Sequence, residues 1–548
     1  MDITTLSCVV GVASIFLYFI WRFLNWLWLK PKKIEKYLRD QGIKGTPYRF
    51  LYGDLKEMVQ MMNEAKSKPM SLTHDVAPRA SPFFCKAITT LGKTCFTWMG
   101  TKPVVHVSEP AMIREVLTNY NTYQKPRGGN PLTKMLARGL IDVEGDQWVK
   151  HRKIINPAFH MEKLKVTFLL LFFTFCYHTD LHVIYYDLKP LYGCLLQHMI
   201  PAFYVSCSEM IGKWDKLLTQ ESSCEVDVWP YLQTFTSDVI SRTAFGSSFE
   251  EGRKIFELQR EQARLVIKAT NSVYIPGSRF LPTKNNKQMK EIDRQVRDTI
   301  KSIINKRDVA MKAGDASHDD LLGILLDSNY KEIKQKGNSI FGLSIDDVIE
   351  ECKLFYFAGQ ETTGNMLVWT MILLGQHSEW QTRAREEVLD VFGDKKPDIE
   401  GLSHLKVMSI IFNEVLRLYP PGILLRRLIH QESKLGNLTL PEGTLVQINA
   451  LILHHDKDMW GEDVNEFKPQ RFSEGVSKVT KGQVAYVPFG GGPRICIGQN
   501  FALLEAKMAL AMILQRFSFE LSPSYSHAPH GMPTLQPQFG AHLILHKL

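Results

Sequence analysis

From Ser344 past Leu374 the chain carries one long apolar helical stretch, opened by Ser344 and Asp347 as a capping-box-like start and continuing through Phe355-Tyr-Phe-Ala-Gly359. A helix of that length and apolarity must be largely buried, so the fold has to be assembled around it. The sequence has 548 residues, which allows roughly two to four average domains but also one large core. With 45% hydrophobic and 22% charged residues the composition is that of a globular enzyme and excludes extensive disorder. Elsewhere the periodicity is mostly helical, with short strands at 96–100 and 103–107 and a helix over 109–120. The expected fold class is mainly α with small β-sheets, an α+β arrangement. Inside the long helix, Ala358-Gly359-Gln360-Glu361-Thr362-Thr363 interrupts the apolar face with small residues and an acid–hydroxyl pair. On its own this hexad is open to two readings, a functional pair in a buried helix or a solvent-facing Glu-Thr-Thr.

The N-terminus supplies a second constraint. Residues 6–29 are apolar and aromatic apart from Arg22 and Asn25, and Lys30-Pro31-Lys32-Lys33 follows. The run is long enough to cross a bilayer, with Trp21, Trp26 and Trp28 placed for the headgroup belt and Arg22 snorkelling or marking the cytosolic edge. Its basic flank lies on the C-terminal side, which by the positive-inside rule leaves everything after Lys30 in the cytosol. Neither the basic start nor the small-residue cleavage site of a secretory signal is evident, so 1–29 is expected to be a retained membrane anchor and 30–548 the catalytic domain. A short basic helix over 34–42 and a turn over 45–48 come next. The net charge of +9 suits an anionic membrane surface or an acidic protein partner. No nucleic-acid partner is expected, because no dense basic stripe is interleaved with aromatics.

Near the C-terminus stands Phe489-Gly-Gly-Gly-Pro-Arg494-Ile-Cys496-Ile-Gly498, followed by the apolar run Phe501-Ala-Leu-Leu-Glu-Ala-Lys507. A cysteine in a glycine-rich turn, two residues after an arginine and just before a helix, is a setting for a thiolate. The helix dipole and exposed backbone N–H groups lower its pKa, and the glycines let those groups come close. From the residues alone the choice is between a metal-ligating sulfur and a structural turn with a buried free cysteine. The other cysteines are scattered without a Cys-x-x-Cys pair, so neither a disulfide framework nor a zinc site is signalled, and a reducing compartment fits.

Glu414 and Arg417 put an acid and a base on one helix face amid Ile410, Ile411, Phe412, Leu416 and Leu418. Buried there, the pair would need further partners. Trp148 and Arg152 place an aromatic and a cation at i and i+4; taken singly, each arginine also reads as a surface charge. His454 and His455 are declined as metal ligands, because adjacent side chains on a strand point apart and nothing with ligand spacing lies nearby. Gly490-Gly-Gly-Pro lacks the Lys-Ser/Thr of a phosphate loop.

In this chain order the features resemble the cytochrome P-450 superfamily of haem-thiolate monooxygenases, over nearly the whole chain after the anchor. The pattern Phe-x-x-Gly-x-Arg-x-Cys-x-Gly is similar to the family's haem-ligand loop, and the hexad at 358–363 to its oxygen-activation motif. Segments 148–165 (WVKHRKIINPAFHMEKLK), 275–284, 344–363 and 535–548 look like the plant secologanin-synthase-like group of the 72A type. The resemblance implies a cytochrome P-450 fold and haem b (iron protoporphyrin IX), with Cys496 as proximal iron ligand, Phe489 shielding the sulfur and Gly498 completing the loop. It places Trp148, Arg152, Arg427 and Arg494 at the haem propionates, and makes Glu361 and Thr362 the catalytic pair that delivers protons. Ala358 and Gly359 would let the helix, locally widened, pass close to the haem, and Arg471 would join Glu414 and Arg417 in a structural charge cluster.

The same resemblance implies a single-pass protein of the endoplasmic reticulum membrane that contacts lipid, takes electrons from an NADPH-cytochrome reductase, and uses O2. It would hydroxylate or oxidatively cleave a lipophilic, terpenoid-derived substrate between walls at 127–138, 355–358, 422–425 and 532–534. One segment departs from the pattern. In related chains the run ending at Lys165 leads directly to something like His198-Met-Ile-Pro, whereas here 166–197 intervenes, rich in Leu, Phe and Tyr. Its ends suit intron borders, since every valine codon begins GT and a glutamine codon can end AG; we read it as a retained intron translated in frame. The alternatives are therefore a haem-binding product disabled by the insert, or a same-fold isomerase or dehydratase that needs no reductase.

Overall fold

The computed structural model describes residues 3–126, 130–159, 195–218, 222–246, 249–313, 320–336, 342–531 and 533–548. Most of the insert, 166–194, and the pocket-wall residues 127–129 and 532 lie outside them.

The long helix is Ile345–Gln376. Ser344 Oγ accepts from the Asp347 N–H at 3.1 Å while the Asp347 carboxylate accepts from the Ser344 N–H at 3.0 Å, so two orphan donors of the first turn are satisfied reciprocally. Being apolar on nearly every side, it lies in the middle of the molecule, packed by the helices Val228–Phe245, Lys284–Ala313, Lys406–Leu418 and Gln499–Arg516. Leu367, Trp369, Leu373 and Leu374 on it are wholly buried. The hexad does not widen: α-helical geometry is unbroken from Ile345 to Gln376, against the expectation of a local bulge.

A six-stranded sheet runs in the order Lys44–Gly45, Cys95–Met99, Lys102–His106, Leu445–Asn449, Leu424–Ile429, Tyr123–Gln124. The two strands expected at 96–107 form a hairpin whose Met99↔Lys102 pairing leaves a two-residue turn, with Gly100 supplying the positive φ of 62° that such a turn requires. Strands Phe517–Leu521, His542–Lys547 and Ser223–Asp227 make a second, antiparallel sheet against the last part of the long helix. The helix expected over 109–120 is Pro110–Thr118. His454 and His455 are not on a strand: His454 ends the short helix Ala450–His454, its Nε2 accepts from the Val487 N–H at 2.9 Å, and His455 Nε2 bonds the Leu418 carbonyl at 3.0 Å.

The N-terminal apolar helix does not stop before the basic run. Ile3–Leu24 passes through a π-turn, Asn25–Leu29, into Lys30–Asp40, one continuous rod whose outer part is exposed and is long and apolar enough to cross a membrane. The π-turn has a local cause in Pro31, which lacks an N–H and crowds the carbonyl four residues back, that of Leu27. This freed carbonyl accepts instead from the Tyr48 hydroxyl at 2.6 Å, and Trp28 packs on the rings of Tyr48 and Phe50 with centroids 5.8 and 6.1 Å away. Leu27 and Trp28 thus dock on the sheet-bearing body, which the headgroup-belt reading of Trp28 did not foresee.

Candidate active site

Cys496 sits on a loop folded by its glycines. The Cys496 N–H donates to the Phe489 carbonyl at 2.9 Å and the Ile495 N–H to Gly492 at 3.1 Å. Gly492 has φ 65° and its α-carbon abuts the Leu117 carbonyl, so a Cβ there would overlap backbone. From Gly498, the helix Gln499–Arg516 leads away behind the loop. The thiol lies deep in the fold yet its own surface is exposed, so it lines a cleft. Burial pushes its pKa up; the Gly498 N–H and the Arg152 charge offset this only in part. Of the lowering expected from the helix terminus only the Gly498 N–H contributes, and desolvation outweighs it together with the one partly solvated cation.

The arginines expected here converge on the loop from three directions. Arg494 pairs with Glu144, donates to the Val143 carbonyl at 2.9 Å, and lies over the Trp148 ring at 4.4 Å. Arg152, one turn along the same helix Gly145–Ile155, donates to the Ile495 carbonyl at 3.1 Å. Arg427, on the strand Leu424–Ile429, is buried with its guanidinium on the neighbouring Arg426 carbonyl at 3.0 Å, and desolvation lowers its pKa to about 10. Lys125, absent from the expected set, joins them: burial, then Arg427 and Arg494, lower its pKa to about 7, opposed by Glu144 and Asp142. No motif marks Lys125: Asp142 and Glu144 lie within 20 residues of it, but Arg427 and Arg494 come from segments about 300 residues or more away. Asp142 is itself bonded to Lys134 at 2.8 Å, leaving Glu144 as the carboxylate amid Lys125, Arg427 and Arg494. Arg427 and Arg494 outnumber the one carboxylate between them even with Lys125 neutral, and a protonated Lys125 adds to the excess, an arrangement that suits a buried anionic group.

The hexad lies in the middle of the long helix Ile345–Gln376. Thr362 donates to the Ala358 carbonyl at 2.8 Å. Glu361 Oε1 accepts from the Thr534 hydroxyl at 3.0 Å, Thr534 accepts from Asn365 Nδ2 at 2.8 Å, and Asn365 Oδ1 in turn accepts from Gln233 Nε2 at 3.1 Å. Burial raises the Glu361 pKa against the lowering effects of Thr534, Arg260 and Asn365, which favours a carboxyl that keeps a proton. A Cβ at Gly359 would stand 2.9 Å from Ile240 Cδ1, so this glycine admits the helix Val228–Phe245.

Behind the cysteine loop the Glu414–Arg417 pair is wholly buried and fully partnered. Two parallel bonds of 2.7 Å join them, Arg417 also donates to the carbonyls of His454, Val464 and Glu466, and the Lys468 N–H donates to Glu414. Arg471 Nε stands 3.6 Å from Glu414 and its Nη1 donates to Asp463 at 3.0 Å. A cleft of ≈ 600 Å³ bounded by Tyr204, Lys396, Met512 and Arg516 lies at the far end of the helix behind the loop and contains none of the expected site residues.

The family model for cytochrome P450 matches residues 78–172 and 193–538. The chain belongs to the cytochrome P450 family. Cytochrome P450 CYP72A219 of Panax ginseng is 59% identical over 96% of each chain. The 7-deoxyloganic acid hydroxylase of Catharanthus roseus is 52% identical over 98% of each. The fold is also that of the retinoic acid-bound cyanobacterial CYP120A1, with a TM-score of 0.72, 23% identity, and coverage of 92% of this chain and 99% of that one. A P450 is a haem-thiolate monooxygenase, and this P450 has the chemistry to hold haem: an open sulfur in a cleft, and a cationic cluster short of the negative charge that two propionates carry.

Proposed function

We propose that Cys496 ligates the iron of haem b, that Lys125, Arg152, Arg427 and Arg494 hold its carboxylates, and that Glu361 and Thr362 handle protons on the opposite side. The observation that carries the reading is the buried cationic excess around Glu144, next to a cleft floored by a thiol. When bound, the haem supplies the oxygen activation and the oxidising power. The chain's own work is binding, orientation and proton supply. Trp148 stacks under Arg494 and keeps its fork aimed; Arg152 ties the same helix to Ile495, so sulfur and cations move as one body. Burial raises the pKa of Glu361, whose Oε1 is held by Thr534; next to it in sequence, the Thr362 hydroxyl donates to the Ala358 carbonyl, and together they are the proton-handling pair of this reading.

The similarity to the Catharanthus hydroxylase supports a terpenoid-derived, lipophilic substrate, oxidised with electrons from an NADPH-cytochrome reductase on the endoplasmic reticulum membrane. A reduced carbon-monoxide difference spectrum of the anchored protein tests the first step. The intact chain is expected to show a thiolate Soret band and Cys496→Ser to lose it. Product formation from a terpenoid panel should need NADPH and reductase; turnover without them would replace the monooxygenase reading with an isomerase.

A further inference from the structure

We infer that Glu351, through His151, is the positioning residue that sets the carboxylate-binding side of the haem pocket from the long central helix. This rests on the haem reading above. Glu351 is wholly buried two turns before Ala358, and its two oxygens face different segments. Oε1 accepts from His151 Nδ1 at 2.6 Å, and Oε2 accepts from the Leu140 N–H at 3.0 Å. Gly139, with φ 53°, leaves the space the carboxylate fills, since a Cβ there would lie 2.6 Å from Oε2.

Both segments lead to Arg494. The turn starting at Gly139 carries the Val143 carbonyl that Arg494 binds and the Glu144 carboxylate that it pairs with. The helix of His151 carries Trp148, whose ring lies against Arg494, and Arg152, bonded to Ile495 next to the cysteine. One carboxylate therefore anchors the floor and the wall of the cationic cluster and ties them to the helix bearing Glu361 and Thr362. His151 is buried and its far nitrogen has no hydrogen-bond partner, with the Asp347 carboxylate 3.8 Å away, so the ring is held from the Glu351 side alone. A packing role would need no such directed contacts; an isosteric apolar pair would fill the space without a buried, half-satisfied imidazole.

The test uses the haem-loaded full-length protein and three variants, Glu351→Gln, His151→Asn and Gly139→Ala. The readouts are the rate of haem transfer to excess apomyoglobin and the propionate bending modes in resonance Raman spectra. Removing the support of a ligand-orienting group is expected to speed haem release by about tenfold and to shift the propionate modes, while the carbon-monoxide Soret band stays at its thiolate position because Cys496 is untouched. Gly139→Ala alters no charge, so the same change there assigns the effect to carboxylate placement. Wild-type release rates and unshifted modes in the variants overturn the inference, and so does loss of folded protein in all three, which would make the pair an ordinary core contact. A wild-type protein without a thiolate band would instead sink the haem reading itself.

Discussion

Glu505 is a buried carboxyl with a raised pKa. It is wholly buried on the helix behind the cysteine loop, neither carboxyl oxygen meets a partner in good hydrogen-bond geometry, and burial raises its pKa well above 4.5 against the lowering effect of the nearby Thr363 hydroxyl. Above pH 4.5 the unfolded carboxyl releases its proton while the folded one retains it, so the native state binds the extra proton and stability falls by about 1.4 kcal/mol per pH unit until the raised folded pKa is reached. Below pH 4.5 both states are protonated and the contribution is complete. Glu505→Gln should remove this slope: between pH 5 and 8 its denaturant midpoint is expected to overtake the parent's, and parallel profiles would disprove the assignment. Arg417 behaves oppositely. Its charge is fully partnered, so Arg417→Leu strands Glu414 and the carbonyls of His454, Val464 and Glu466, at a cost of about 3–5 kcal/mol. Little soluble, haem-loaded protein should be recovered; a normal yield would contradict the buried cluster.

At the scale of elements, glycines and prolines decide how pieces meet. Gly492 brings the cysteine loop against Leu117, at the end of the helix Pro110–Thr118. Pro31 breaks the ladder of the N-terminal rod, and Tyr48 restores the lost bond. Tyr48→Phe would leave the Leu27 carbonyl and the Leu51 N–H, 3.2 Å from the same hydroxyl, without that partner, a cost of about 1–3 kcal/mol. Denaturant unfolding of the anchored protein should register it, and the anchor helix should tilt more freely relative to the body; unchanged midpoints would argue against the docking. The capping box at Ser344 and the hairpin at Gly100 were legible because each is a local rule within a few residues. The role of Gly359 was not, because which helix it admits depends on Ile240, far away in sequence.

At the scale of the whole molecule, the stretch 166–197 sets this chain apart from the family pattern. The family model matches 78–172 and 193–538 and leaves 173–192, within this stretch, unmatched. Transcript reads spanning the codons of Lys165 and His198 are expected to include a form without the intervening bases; reads that all retain them would refute the retained-intron account. The shortened chain should load more haem per protein than the full one, because a greasy run no longer follows the arginine-bearing helix.

The sequence by itself determined the class of this protein, since the cysteine loop, the hexad, the Glu-x-x-Arg pair and the apolar N-terminus are patterns recognisable within a few residues, although the buried ones are satisfied only by distant partners. Only the tertiary structure decided which charges share the pocket. Lys125, Glu144 and Arg427 meet Arg494, and His151 meets Glu351, across 200 residues or more in the latter case, and a buried charge acquires its meaning from neighbours that the linear order does not name.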